Sequence, residues 1–164
     1  MAVSAETLRL HLDYTAWASR RLCDCALKLT EGELTRDFKT SDKTVLDTLV
    51  HIYAADRVWL SRVQGNSPGP FLSPEDRQLS TLEKEWPALQ QNWKEFAAPL
   101  TDQDVQARIS YRDLKGNAWE QPLWQILLHV VNHGSHHRGQ VSGFLRAMGQ
   151  NPPPLDLIAF YRAL

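Results

Sequence analysis

Residues 122–148 read PLWQILLHVVNHGSHHRGQVSGFLRAM, and four of the six histidines of the chain fall within residues 129–137. A helix turns by about 100° per residue. With His133 at zero, Ile126, His137 and Phe144 fall within about 40° on one side, and Val130 and Met148 near 60°. The stripe Ile126, Val130, His133, His137, Val141, Phe144, Met148 thus advances by fours and threes, the period of one buried helix face. Pro122 suits the start of this helix and Gly149 its end. His129 and His136 lie on the polar flank, roughly 40° and 60° the other way. Two imidazoles therefore face the core of whatever this helix packs against, and two lie at its edge.

Three more segments carry a helical period. Residues 5–29 place Leu10, Tyr14, Ala18, Leu22, Cys25 and Leu29 at intervals of three and four. A second helix follows Ser41-Asp42-Lys43-Thr44, whose side chains suit an N-cap, and runs through Val45, Leu49, Ile52, Trp59 and Val63 to Gly65. A third begins near Ser80, with Glu83 placed for a capping box, and carries Leu82, Trp86, Leu89, Trp93 and Phe96 toward Pro99. Pro87 marks a kink early in it. Residues 65–76, GNSPGPFLSPED, form a loop that serves as a lid or a connector. Ile109 to Trp119 alternates around a Lys115-Gly116-Asn117 turn and reads as a small hairpin. LDLIAFYRAL after Pro152-Pro153-Pro154 reads as a short terminal helix. Four long amphipathic helices pack most simply as an all-α, antiparallel four-helix bundle, here one domain over residues 1–164.

Composition narrows the function. Hydrophobic residues make up 43% and charged residues 23%, which is globular rather than disordered. A net charge of −1 without a basic stripe among the aromatics argues against nucleic acid as a partner. No apolar run is long enough for a bilayer and residues 1–12 lack a signal-peptide pattern, so no membrane partner and a cytoplasmic location are expected. Cys23 and Cys25 are two apart on a helix, point to different faces, and are read as reduced packing residues. The six tryptophans are read as core and interface residues.

Buried polar groups are costly unless they are hydrogen-bonded or bound. His133 and His137, one turn apart, can offer two nitrogens to one metal. A third ligand should come from another helix, and His51 lies among Val50, Ile52, Ala54 and Ala55. His11 has polar neighbours and is read as a surface residue; His129 and His136 are read as flanking groups. No glutamate follows His133, so the HExxH general base is absent. No general acid/base stands out: Asp56 lies five residues after His51, a spacing that points it elsewhere, and Tyr14, Tyr53 and Arg138 are candidate anchors, with Arg138 read first as a surface or helix-end salt bridge.

DYTAWASRRL, TVLDTLVHIYAADRVWLSRVQG, LLHVVNHGSHHRGQV and PPPLDLIAFYR together resemble the DinB family of DinB/YfiT-like metalloenzymes over almost the whole chain. The NHxxHHRGQ signature with an upstream H-x₃-AD-x₂-W carries the resemblance. It implies a four-helix bundle of unusual helix order, commonly a homodimer. It implies a divalent metal, often zinc or nickel, held by His51, His133 and His137. Family members of known activity look like transferases that use low-molecular-weight thiols. The expectation is therefore a metal-dependent enzyme, a thiol-dependent S-transferase acting on a small-molecule substrate. A non-enzymatic metal- or small-ligand-binding stress-response protein and a metal-dependent hydrolase remain as alternatives.

Overall fold

The computed structural model describes residues 3–67, 69 and 71–164. Met1, Ala2, Pro68 and Pro70, which belong to the N-terminal stretch and the 65–76 loop read above, lie outside the described residues. The long helices are α1 (Ala5–Ala26), α3 (Val45–Val63), α4 (Leu79–Ala97) and α5 (Leu123–Ala147). Short helices α2 (Glu31–Leu34) and α6 (Leu157–Tyr161) and an antiparallel hairpin of β1 (Arg108–Arg112) and β2 (Ala118–Pro122) complete the fold. Tyr111 pairs with Trp119 in the hairpin. No helix among the described residues is long and apolar enough to cross a membrane.

Around the bundle the order is α1, α5, α3, α4, so α1 and α3 stand on one diagonal and α4 and α5 on the other. Contacts between named residues give the directions. Arg9 of α1 donates to Leu100 O just beyond α4, and Ala5 N–H donates to Asp102, so α1 and α4 are antiparallel. His51 meets His137 while Trp59 meets His129, so α3 and α5 are antiparallel. Tyr53 meets Trp86 and Asp56 O accepts from Trp93, so α3 and α4 run the same way. The expected antiparallel bundle is realised as two helices running against two.

This order explains the long 64–78 connection. Parallel neighbours need a crossover the length of the bundle, and the 19 residues of α3 measure about 28 Å. An extended chain at about 3.3 Å per residue covers that distance with slack. Arg57 of α3 pins the crossover with paired 2.9 Å bonds to both oxygens of Asp76 and a 3.2 Å bond to Phe71 O. The loop is thus a connector first.

Helix termini follow the sequence in part. Thr44 caps α3, its hydroxyl accepting from Asp47 N–H at 2.9 Å. The capping box expected at Ser80 and Glu83 does not form. The 3₁₀ turn Pro74–Arg77 leads the chain into α4 at Leu79, and Ser80 falls inside the first turn. Capping-box chemistry appears instead at Ser73 and Asp76, which open the 3₁₀ turn, and at Thr30 and Glu33, which open α2. Gly149 ends α5 in the left-handed region at φ 78°.

The core draws on all four helices, among them Leu8, Leu22, Leu49, Ile52, Leu82, Trp86, Ile126 and Leu127. On α1 the buried face is broader than the predicted stripe. Tyr14, Ala18 and Leu22 are buried, Leu10, Cys25 and Leu29 only partly, and Thr15 and Ser19 are buried polar residues. A helix wedged between two neighbours must bury more than one stripe.

Arg138 corrects the reading of a surface salt bridge: it is 1% exposed. It donates to Ser19 Oγ on α1 at 3.2 Å and to Ser135 Oγ at 3.0 Å, and lies over the Tyr14 ring. One turn earlier, a Cβ on Gly134 would stand 2.6 Å from Arg138 Nη1. The glycine in HGSHHR is therefore space for a buried guanidinium. Gly134→Ala gains about 1 kcal/mol of helix propensity, but displacing buried hydrogen bonds costs about 1–3 kcal/mol. A net loss of about 0–2 kcal/mol in chemical denaturation is expected; increased stability contradicts this account of Gly134.

Candidate metal centre

The α3–α5 seam brings three imidazoles together. His51 and His133 approach with Nε2 to Nε2 at 3.0 Å. Ring centroids stand 4.4 Å apart for His51 and His137 and 4.5 Å apart for His133 and His137. One ligand atom from each of the three lies within 4.8 Å of the others, a grouping that could hold a metal ion. Two imidazole nitrogens bound to one tetrahedral zinc at about 2.0–2.1 Å stand about 3.3 Å apart, so the spacing fits such an ion.

The far sides of two rings are occupied. His137 Nδ1–H donates to Gln140 Oε1 at 2.8 Å, which leaves its Nε2 as the nitrogen with a lone pair. Asp42 places Oδ2 3.4 Å from His137 Nδ1 and Oδ1 3.9 Å from His51 Nδ1. One carboxylate thus faces the outer nitrogens of two rings carried by different helices. Gln140 thus fixes the tautomer of His137, the way outer partners orient metal-binding histidines, and Asp42 faces both rings at longer range.

The sequence offers Asp42 only as capping chemistry. Thr44 takes that role, which frees Asp42 to reach the rings. The turn that presents it holds Lys39 at φ 60° and Lys43 at φ 50°, left-handed conformations uncommon for lysine. Nothing in the sequence marks them. Gln140 had a legible signal: it lies three residues after His137, a same-face helix spacing.

The other candidates fall outside the cluster. His136 is exposed and receives Gln140 Nε2–H at 3.5 Å. His129 packs edge-on against Trp59, with its ring 5.7 Å from that of His133. His11 is half-buried, with Nδ1 2.8 Å from Thr7 O on its own helix. Tyr14 donates to Leu155 O and so holds the C-terminal segment. Tyr53 packs on Trp86 and Arg57. Asp56 is 3% exposed and accepts from Trp86 on the α4 side of α3. Phe71 of the crossover meets His51 edge-on at 5.5 Å, so the connector also covers part of the site.

Burial favours the neutral rings that a metal needs. It lowers the pKa of His51, with His137 adding to the effect and Asp42 opposing it. It pushes His133 down to about 3, with the neighbouring histidines adding to the effect. Above the ordinary value of 6.5, His133 is neutral folded or unfolded. Below it the unfolded chain takes a proton that the folded chain refuses until about pH 3, so the metal-free fold loses stability through this window. In an NMR titration of metal-free protein, the His133 ring should stay neutral through about pH 5; a midpoint at or above the ordinary value contradicts the burial argument.

The DinB family model matches residues 1–163. Protein DinB of Bacillus subtilis (strain 168) is 20% identical over 152 residues, covering 88% of this chain and 87% of its own length. The crystal structure of a DinB-like protein from Bacillus cereus ATCC 10987 shares the fold with a TM-score of 0.73 at 22% identity, covering 94% of this chain and 99% of that chain. With the family model matched almost end to end, the chain belongs to the DinB family.

Proposed function

We propose that His51, His133 and His137 hold one divalent cation, zinc or nickel, and that the chain is a metal-dependent enzyme acting with a low-molecular-weight thiol. The observation that carries this reading is the convergence of three imidazoles from two helices within 4.8 Å. Three-histidine sets leave a coordination position open, whereas structural zinc sites are usually closed by cysteines. A bound cation supplies Lewis acidity and lowers the pKa of a thiol or water that it binds.

The chain's own groups do the rest. Gln140 holds His137 with its Nε2 lone pair free, and Asp42 faces the outer nitrogens of His137 and His51. Phe71 shields the His51 edge from water. The thiol comes from outside in this reading. Burial pushes Cys23 up to about 12, and it lies with Leu82 and Trp86 between α1 and α4, away from the histidines. The reading includes a homodimer, which rests on the family resemblance. Light scattering should give twice the chain mass; a monomer at micromolar concentration contradicts that part.

Metal content of untagged protein, purified without nickel resin, tests the site. His51→Ala, His133→Ala and His137→Ala should each lose the metal, while His129→Ala and His136→Ala keep it. Asp42→Asn should weaken metal affinity about 10- to 100-fold in chelator competition. If His136→Ala empties the protein while His137→Ala stays loaded, the ligand assignment is wrong. A panel of small thiols with electrophilic substrates then tests the activity. Turnover that disappears with the metal is expected; fully loaded protein inert across the panel favours the non-enzymatic reading.

A further inference from the structure

Arg62, in the last turn of α3, is 7% exposed. Its guanidinium carbon lies 4.6 Å from the centre of the Trp59 ring and 5.3 Å from that of Tyr111 on β1. Among the described residues it has neither an ion pair nor a hydrogen-bond acceptor. Arg138, the other arginine buried among them, is bonded to Ser19 and Ser135. Asp113 acts on Arg62 only through its charge. Its oxygens are taken by Lys115 N–H, by Asn117 N–H and Nδ2–H, and by Trp119 Nε1–H. Buried charges are normally paired. Two aromatic rings offset part of the cost of burying Arg62, but they accept none of its N–H groups in the plane of the guanidinium.

Arg62 lines an open cleft of about 550 Å³ between the end of α3 and the hairpin. Its Nε is enclosed, whereas Nη1 and Nη2 are not, so the two terminal nitrogens are the part a ligand in the cleft can reach. Arg112 adds a second guanidinium to the lining, with one Nη held by Gly116 O at 2.7 Å. Glu120, the acidic residue of the lining, is already held by Arg108 and Ser110. Trp119 is 51% exposed, and its Nε1–H bond to Asp113 at 3.1 Å fixes the ring as an apolar wall. Arg62 touches Trp59, Trp59 packs on His129, and His129 neighbours His133. Two rings therefore separate the cleft from the histidine cluster.

We propose that this cleft binds a small organic carboxylate, its two oxygens on Nη1 and Nη2 of Arg62 and its apolar body against Trp119. The terminal nitrogens of a guanidinium present parallel N–H groups that match the two oxygens of a planar carboxylate. Trp59 and Tyr111 hold the guanidinium in place before the ligand arrives, so little ordering is left to oppose binding. An anion supplies the counter-charge that Arg62 lacks. A neutral ligand leaves that charge uncompensated, and a cation meets Arg62 and Arg112. The exposed Trp119 face favours a carboxylate with an apolar body over a bare inorganic ion, which buries no apolar surface there. The volume lies within the roughly 300–1,000 Å³ of small-molecule sites.

The probe is 2-naphthoate, titrated into the metal-free full chain and read by calorimetry and NMR. Saturable binding of one molecule per chain is expected. The amide of the same shape, 2-naphthamide, should bind at least about tenfold more weakly, because it brings no charge to the guanidinium. The Arg62 Nε–H and Trp119 indole N–H signals should shift with naphthoate. Arg62→Lys keeps the charge but loses the paired donors, and should weaken naphthoate about tenfold. Arg62→Gln should erase the preference for the acid over the amide. Circular dichroism shows whether each variant is folded, and the acid–amide comparison and the NMR shifts in the unsubstituted chain decide without them. The proposal is overturned by no saturation at millimolar naphthoate, by equal affinity for acid and amide, or by shifts that spare Arg62 and Trp119. It is equally overturned by a folded Arg62→Gln variant that keeps the preference, or by inorganic phosphate binding more tightly than naphthoate. Binding that appears only after metal is added also overturns it, because the probe then sits at the histidines.

Discussion

The structure turns on one constraint: three imidazoles meet on buried or half-buried faces, and burial penalises the charged forms of His51 and His133. His133 feels this most strongly, ringed by His51, His129, His136 and His137. Neutral rings crowded at 3.0 Å between Nε2 atoms must share a proton or an ion. Both require α3 and α5 to be held in fixed register, because sliding one helix by a residue carries its imidazole off the seam. The aligned Asp42 carboxylate, the Gln140 amide and the Arg57–Asp76 clasp that brings Phe71 over His51 all serve that register.

Helix α5 organises the bundle from two sides. Its His133 and His137 meet α3, and its Arg138 meets α1 through Ser19. A buried arginine contributes little net stability by itself, but it is costly to strand. Gly134 makes room for it, and Tyr14 stacks on it while bonding the C-terminal segment. The motif NHGSHHRGQ therefore combines two jobs in one stretch: histidines aimed at one neighbour, and an arginine with its glycine aimed at another.

Much of this was legible in the residues. The four long helices followed from their apolar period, and the hairpin from alternation around a turn. His133 and His137 were on the core stripe by angle alone, and His51 stood out by its apolar neighbours. What the sequence hid depended on tertiary partners or backbone conformation. Arg138 reads as a surface residue until Ser19, far away in the chain, is beside it. Asp42 reads as a cap until two left-handed lysines swing it onto the rings. Ser80 reads as a cap because the preceding 3₁₀ turn cannot be foreseen from its own few residues. Thr15 and Ser19 look like polar interruptions on α1, although both are buried.

The central claim is that His51, His133 and His137 converge on one divalent cation. X-ray absorption at the metal edge, on untagged protein loaded with one equivalent of zinc, tests it most directly. The account predicts a shell containing three imidazole nitrogens at about 2.0–2.1 Å, falling to two in each of the three single alanine variants that retains any metal. A shell with sulfur ligands, or one unchanged by substitution of these histidines, would contradict it.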